Sequence, residues 1–250
     1  KMCLIVIGWR VHPAYSLVVA ANRDEFHARP TAPAEFWPDA PEVIAGRDLE
    51  AGGTWLGITR NGRFAAVTNV REAAAAKGRH SRGRLTRDFL VGRHRAADYV
   101  GEIDRAAYSG FNLLVSDGES LWYCSNRGAT SLELAPGVYG LSNHLLDSPW
   151  PKLLTARQGF TRALARLPDL APLFAILADD EIVPDTELPD TGIPLEWERR
   201  LSAIFVRSEP YGTRASTVVM LAAEGGITFE ERSFGPDGQP LQSSRISTGV

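Results

Sequence analysis

The chain has 250 residues, 44% of them hydrophobic, and a formal net charge of −3. That is enough apolar material for a packed core, and it leaves no global positive field for nucleic acid. No run of about 18 apolar residues occurs, which argues against a membrane-spanning helix. Two cysteines, Cys3 and Cys124, cannot build a disulfide framework and point to a reducing, cytoplasmic setting.

Lys1 ahead of Met2 reads as a tag remnant, with Met2 as the native start. The apolar runs Cys3–Gly8 and Leu17–Ala21 are too short for helices and predict a strand hairpin around residues 11–15. Residues 26–50 hold four prolines and little periodicity, so they read as a long irregular excursion. A second hairpin is predicted from residues 53–59 and 63–69 around Asn61-Gly62, a pair that favours tight turns. Residues 71–80 read as loop, and Ser81–Tyr99 as helix broken near Gly92. Phe111–Ser116 and Ser120–Ser125 form a third predicted hairpin, and Tyr139–Asn143 a strand end.

Ser148-Pro149 reads as a helix start, with Trp150, Leu153, Leu154, Phe160, Leu164 and Leu167 on one face. Leu170–Leu177 is a second short helix, and the acidic stretch 180–195 a loop or lid. Strands at Ala203–Val206, Ser216–Ala222 and Ile227–Arg232 close the chain. Strands in hairpins, rather than in strand–helix alternation, predict antiparallel sheets covered by helices. No repeat or linker divides residues 1–250, so a single domain is expected.

Removal of Met2 would make Cys3 the first residue. Its thiol and α-amine would then sit on adjacent carbons, and an amine with a pKa near about 8 can act as base for its own nucleophile. A buried structural cysteine is the plainer alternative. Asn22-Arg23-Asp24-Glu25 ends the return strand of the first hairpin, beside Cys3. Arg23 could stabilise a thiolate and Asp24 could hold the amine; a turn with a surface ion pair is the other reading. Asn69 and Asn143 end apolar strands and could donate to an oxyanion or simply close turns. Arg214, at a strand entry, could bind a carboxylate or lie exposed.

The segment Ala-Asn-Arg-Asp-Glu, followed by Phe26, Arg29-Pro30 and Phe36-Trp37, resembles the NRDE family, also called the transport-and-Golgi-organisation-protein-2 family. Gly52-Gly53-Thr54-Trp55-Leu56-Gly57, Thr68-Asn69, Gly110-Phe111-Asn112-Leu113, Gly140-Leu141-Ser142-Asn143, Pro149-Trp150 and Tyr211-Gly212-Thr213-Arg214 extend the likeness over nearly the whole chain. The resemblance implies an α+β fold, the four-layer αββα sandwich of N-terminal-nucleophile (Ntn) hydrolases. A more distant likeness to cysteine Ntn amidases implies catalytic roles for Cys3, Arg23, Asp24, Asn69, Asn143 and Arg214.

Two functions follow from the resemblance. One is hydrolysis of a linear amide or related acyl bond in a small molecule, with no cofactor required. The other is non-catalytic binding or trafficking of haem or acyl-coenzyme A. For a ligand, Asn22, Trp55, Arg82 and Arg84 are candidate contacts. The basic stretch Lys77, Arg79, Arg82, Arg84, Arg87, Arg93 and Arg95 could receive anionic groups or form a solvated helix face. The five histidines are dispersed, so no metal site is expected.

Overall fold

The computed structural model describes residues 2–72, 78–128 and 130–249. Lys1 and Lys77 lie outside the described residues, as does much of the expected loop at 71–80.

The first two strands set the architecture. β1 (Met2–His12) and β2 (Tyr15–Phe26) pair antiparallel. Apolar residues fill both faces: Leu4, Val6, Val18 and Ala20 point one way into a helix-facing core, while Ile5, Ile7, Leu17 and Val19 point the other way. A strand apolar on both faces must be covered on both, and this one is.

β3 (Thr31–Trp37), β4 (Ala40–Asp48), β5 (Leu56–Thr59), β6 (Phe64–Asn69), β7 (Phe111–Ser116), β8 (Leu121–Ser125) and β9 (Leu132–Glu133) form a seven-stranded sheet in chain order. β10 (Gly137–Leu141), β1, β2, β11 (Tyr211–Ala222), β12 (Ile227–Phe234) and β13 (Pro240–Ser247) form a six-stranded sheet. Every ladder between these strands is antiparallel. Ile5, Ile7, Val19, Val219 and Phe229 of the six-stranded sheet meet Ile44, Ile58, Phe64 and Leu114 of the other in the central core.

Helices cover the outer faces. α1 (Gly83–Val91) and α2 (Ala96–Glu102) pack Leu85, Phe89 and Val100 on the seven-stranded sheet. α3 (Pro151–Leu164) and α4 (Ala171–Leu177) pack Leu153, Phe160, Leu173 and Phe174 on the six-stranded one. The result is the expected four-layer αββα sandwich. A short α5 (Leu195–Arg200) lies in the stretch expected to be loop or lid.

Four expectations are corrected. Residues 26–50 are not irregular: they form the β3–β4 hairpin at a sheet edge. Proline is tolerated on edge strands; Pro33 sits at a register shift there, and the Ala34 N–H leaves the ladder to donate to Glu231 Oε1 at 2.8 Å. Ala203–Val206 is buried but is not a strand. Its backbone pairs instead with loops and side chains, as in Phe205 N–H to Asp179 O (2.7 Å) and Val206 N–H to Thr213 Oγ1 (2.9 Å).

The third helix starts two residues later than expected, with Trp150 at its cap and Pro151 in the first turn. Ser148 bonds the Leu145 carbonyl instead, and Leu154 is half exposed rather than on the apolar face. β9 is two exposed residues long and β13 is exposed and largely polar, so neither carries a hydrophobic alternation that marks a strand.

Candidate active site

The register of the first hairpin places Cys3 opposite Arg23 and Met2 opposite Asp24. Strand alternation then separates the side chains. Cys3 and Arg23 share the face between the sheets with Ile5 and Ala21, while Asn22 and Asp24 share the helix-covered face with Ala20. A cleft of about 500 Å³ opens at this end, lined by Cys3, Arg23, Asp24, Asn69, Arg82 and Arg214 among others.

Cys3 is buried. Burial, with the Asp24 carboxylate second, pushes its thiol up to about 12, although the Arg23 guanidinium and a bond to the Asp24 backbone pull the other way. In this state, with Met2 attached, the sulfur is a protonated and poor nucleophile. Asp24 is also buried, and burial raises its carboxyl to about 6 against the pull of Lys152 and a hydrogen bond from Thr213. Thr213 Oγ1 donates to Oδ1 at 2.7 Å, whereas Oδ2 is buried with no hydrogen-bond partner among the described residues. Arg23 faces Glu25 at 3.7 Å, and Glu25 also faces Arg29 at 3.6 Å.

The remaining sequence-derived candidates divide. Asn69 ends β6 and lines the cleft, as does the half-buried Trp55. Asn143 is fully buried outside the cleft lining; its Nδ2 donates to the Asn69 carbonyl at 3.1 Å. It belongs to a polar tie between the sheets: Ser142 Oγ reaches Cys3 O (3.3 Å) and Thr68 Oγ1 reaches Ser142 O (2.8 Å). Asn143 thus positions the backbone around Cys3 and Asn69.

Arg214 sits at a register shift in the β2–β11 ladder, between Thr213 and Ala215. A bulged residue is re-aimed out of the ladder, and here the guanidinium donates to the carbonyls of Phe26, His27 and Arg29 at 3.0–3.1 Å. It clamps the chain leaving β2. Asn22 is buried and bonded to Leu177 O, Ile204 O and Ser216, outside the cleft lining. Arg84 is exposed and paired with Asp88 at 3.0 Å, also outside the cleft. Arg82 lines the cleft and donates to Gly110 O at 2.9 Å, with Cys3 and Glu25 acting on its charge.

Several groups escaped the sequence reading. Lys152, in the first turn of α3, is buried and donates to Leu201 O at 2.8 Å. Arg71 forms a buried ion pair with Glu198 of α5 and stacks on Trp150. Glu231, buried in the cleft wall, accepts from Ala34 and Thr217. Lys152 left one detectable signal: helical spacing puts it on the buried stripe with Ala156, Phe160 and Ala163. The two partners of the Arg71–Glu198 pair are 127 residues apart, and nothing local marks them. Among the described residues, no group of three or more His, Cys, Asp or Glu could hold a metal, and no helix is long and apolar enough to cross a membrane.

The layers, the paired hairpins and the cleft at the head of β1 define a scaffold of the Ntn-hydrolase type. A solved structure of a Caenorhabditis elegans N-acylethanolamine-hydrolyzing acid amidase ortholog superposes with a TM-score of 0.53 at 14% identity, covering 86% of this chain and 92% of that one. Residues 2–236 match the Transport and Golgi organisation 2 family. Relatives are the Transport and Golgi organization protein 2 homologs of Bos taurus (38% identical) and Homo sapiens (37%), each over 93% of both chains. The Drosophila melanogaster Transport and Golgi organization protein 2 is 30% identical over 93% of this chain and 92% of its own. The chain belongs to the Transport and Golgi organisation 2 family.

Proposed function

We propose that the chain is a cysteine N-terminal-nucleophile hydrolase acting on a linear amide or related acyl bond. The observation that carries this reading is Oδ2 of buried Asp24, which has no hydrogen-bond partner among the described residues and lies across the hairpin from the peptide bond between Met2 and Cys3. A buried carboxylate oxygen without a donor is costly. Release of Met2 would leave the Cys3 α-amine at the strand end, in the sheet plane, where a group on either face can reach it.

In the reaction, the neutral α-amine takes the thiol proton and Cys3 Sγ attacks the carbonyl carbon. Asn69 and a backbone N–H stabilise the oxyanion; one such donor is worth about 100–1000-fold in rate. The α-ammonium returns the proton to the leaving nitrogen as the C–N bond breaks, giving a thioester. Water, deprotonated by the same amine, then releases the acid and the thiol. Arg23 favours the thiolate, Asp24 orients the amine, and Asn143 and Arg214 hold the surrounding backbone. The two free, buried cysteines suit a reducing cytoplasm.

The test is to express the full chain with Cys3 as the first residue and treat it with a panel of amides and activated acyl esters. Intact mass should show an acyl adduct on Cys3 that decays by hydrolysis and is lost in Cys3→Ala. No adduct from any member, with Cys3 inert to electrophiles, would sink the proposal.

A second reading, carriage of an anionic ligand such as haem or acyl-coenzyme A, is favoured by Arg79, His80 and Arg82 along the same cleft. Saturable binding, lost in Arg82→Ala and indifferent to Cys3→Ala, would support it over hydrolysis.

A further inference from the structure

The chain has 27 basic residues, of which three are lysines. The one described, Lys152, is buried on the apolar stripe of α3, where a charge is expensive unless paired and hydrogen-bonded. Its Nζ donates to Leu201 O at 2.8 Å, and among the described residues it makes no direct ion pair. α3 lays it in the core that covers the Asp24 face of β2, where Ala156 and Phe160 meet Ala20, and the charges that bear on it are those of Arg71 from the segment after β6, Asp24 of β2, Cys3 of β1 and Glu198 of α5. Asp24 in turn is fixed by Thr213 of β11 on one oxygen and has no partner on the other among the described residues. Among the described residues Lys152 has no direct bond to Asp24 or Cys3, so any influence on them is through its charge.

A free α-amine on Cys3 would enter this arrangement as a second cation. Two neighbouring cations disfavour each other's charged forms, so a fixed ammonium at Lys152 pushes the amine toward neutrality. The same charge favours ionised Asp24 and a thiolate at Cys3. We propose that Lys152 is a positioning residue for the nucleophile: its buried charge keeps Asp24 a carboxylate aligned with the Cys3 amine and biases that amine to the neutral form that accepts the thiol proton. This rests on the cysteine-nucleophile reading above. Burial, then Arg71, lowers the Lys152 ammonium to about 8 against the pull of Asp24, Cys3 and Glu198, so it stays charged at neutral pH.

The experiment uses the full chain with Cys3 as first residue and iodoacetamide as the probe. The alkylation rate of Cys3 is followed across pH by mass. In Lys152→Met the midpoint should rise by about one pH unit, so that alkylation at neutral pH slows about tenfold, and Lys152→Arg should restore it. A folded Lys152→Met with the wild-type midpoint overturns the proposal while leaving the nucleophile reading intact. Wild-type Cys3 inert at every pH overturns both.

A measurement without substitution covers the case in which Lys152→Met does not fold. Coupling is reciprocal, so the Lys152 midpoint, followed by NMR of 13C-labelled lysine, should fall by about half a unit when Met2 is removed and the amine appears. Equal midpoints with and without Met2 overturn the proposal.

Discussion

Asp24→Asn, in the chain that retains Met2, isolates the cost of the carboxylate at the centre of the site. Burial raises the Asp24 carboxyl from its ordinary 3.8 to about 6, a difference of about two pH units, or about 3 kcal/mol. The folded state holds this proton to a higher pH than the unfolded chain does. Stability from the group is therefore full below about pH 4 and is lost as the pH rises through about 6. The asparagine variant has no such titration. Its amide places N–H donors where Oδ2 found no partner, a penalty of about 1–3 kcal/mol that does not depend on pH.

Urea unfolding of both proteins at pH 4, 5, 6 and 7, with equal slopes, gives the stability difference, wild type minus variant. Titrations common to both, such as that of buried Glu231, cancel. The difference should fall by about 2 kcal/mol from pH 4 to pH 7, the rest lying below pH 4. A flat difference, or one that rises with pH, would refute the reasoning: Lys152, Thr213 and Arg71 would then outweigh burial. Exposure of the Cys3 amine should shrink the fall, because an ammonium at Oδ2 favours the carboxylate.

Three further outcomes are expected. Arg71→Met, which strands Glu198 in the interior, should cost about 3–5 kcal/mol by urea unfolding, and Arg71→Met with Glu198→Leu should recover much of it. With Met2 retained, the Cys3 thiol held near about 12 should resist iodoacetamide at pH 8, and removal of Met2 should accelerate alkylation at least about tenfold by intact mass. Gly53→Ala would set a methyl 2.5 Å from the Gly83 backbone, prising the start of α1 from the segment that leads into β5; calorimetry should show a loss of about 1–3 kcal/mol.

What the sequence discloses follows from what local pattern can encode. The first hairpin is legible because its strands are rich in apolar residues and joined by a turn, and pairing them brings Arg23 to Cys3 and Asp24 to Met2. The β3–β4 hairpin is hidden because its prolines suppress a strand reading, although an edge position and a register shift accommodate them. Ala203–Val206 misleads in the opposite sense. Its apolar run records burial correctly, but burial does not say whether a ladder or scattered side chains satisfy the backbone. Arg214 carries the right chemistry at the right strand, yet its aim depends on a one-residue bulge that composition does not reveal.

Strand parity explains why the chemistry gathers where it does. Alternation forces Cys3 and Asp24 to opposite faces of the six-stranded sheet, so their side chains cannot form a conventional pair across one surface. The cleft face supplies Arg23 and Arg82 to the sulfur, while the helical face supplies Lys152 and Thr213 to the carboxylate. Only a group in the plane of the sheet, at the free end of β1, can meet both. The α-amine of a terminal Cys3 is such a group, whereas the amide linking Met2 to Cys3 is committed to the strand. On the reading proposed above, removal of Met2 would place that amine between Arg23 on one face and Asp24 on the other.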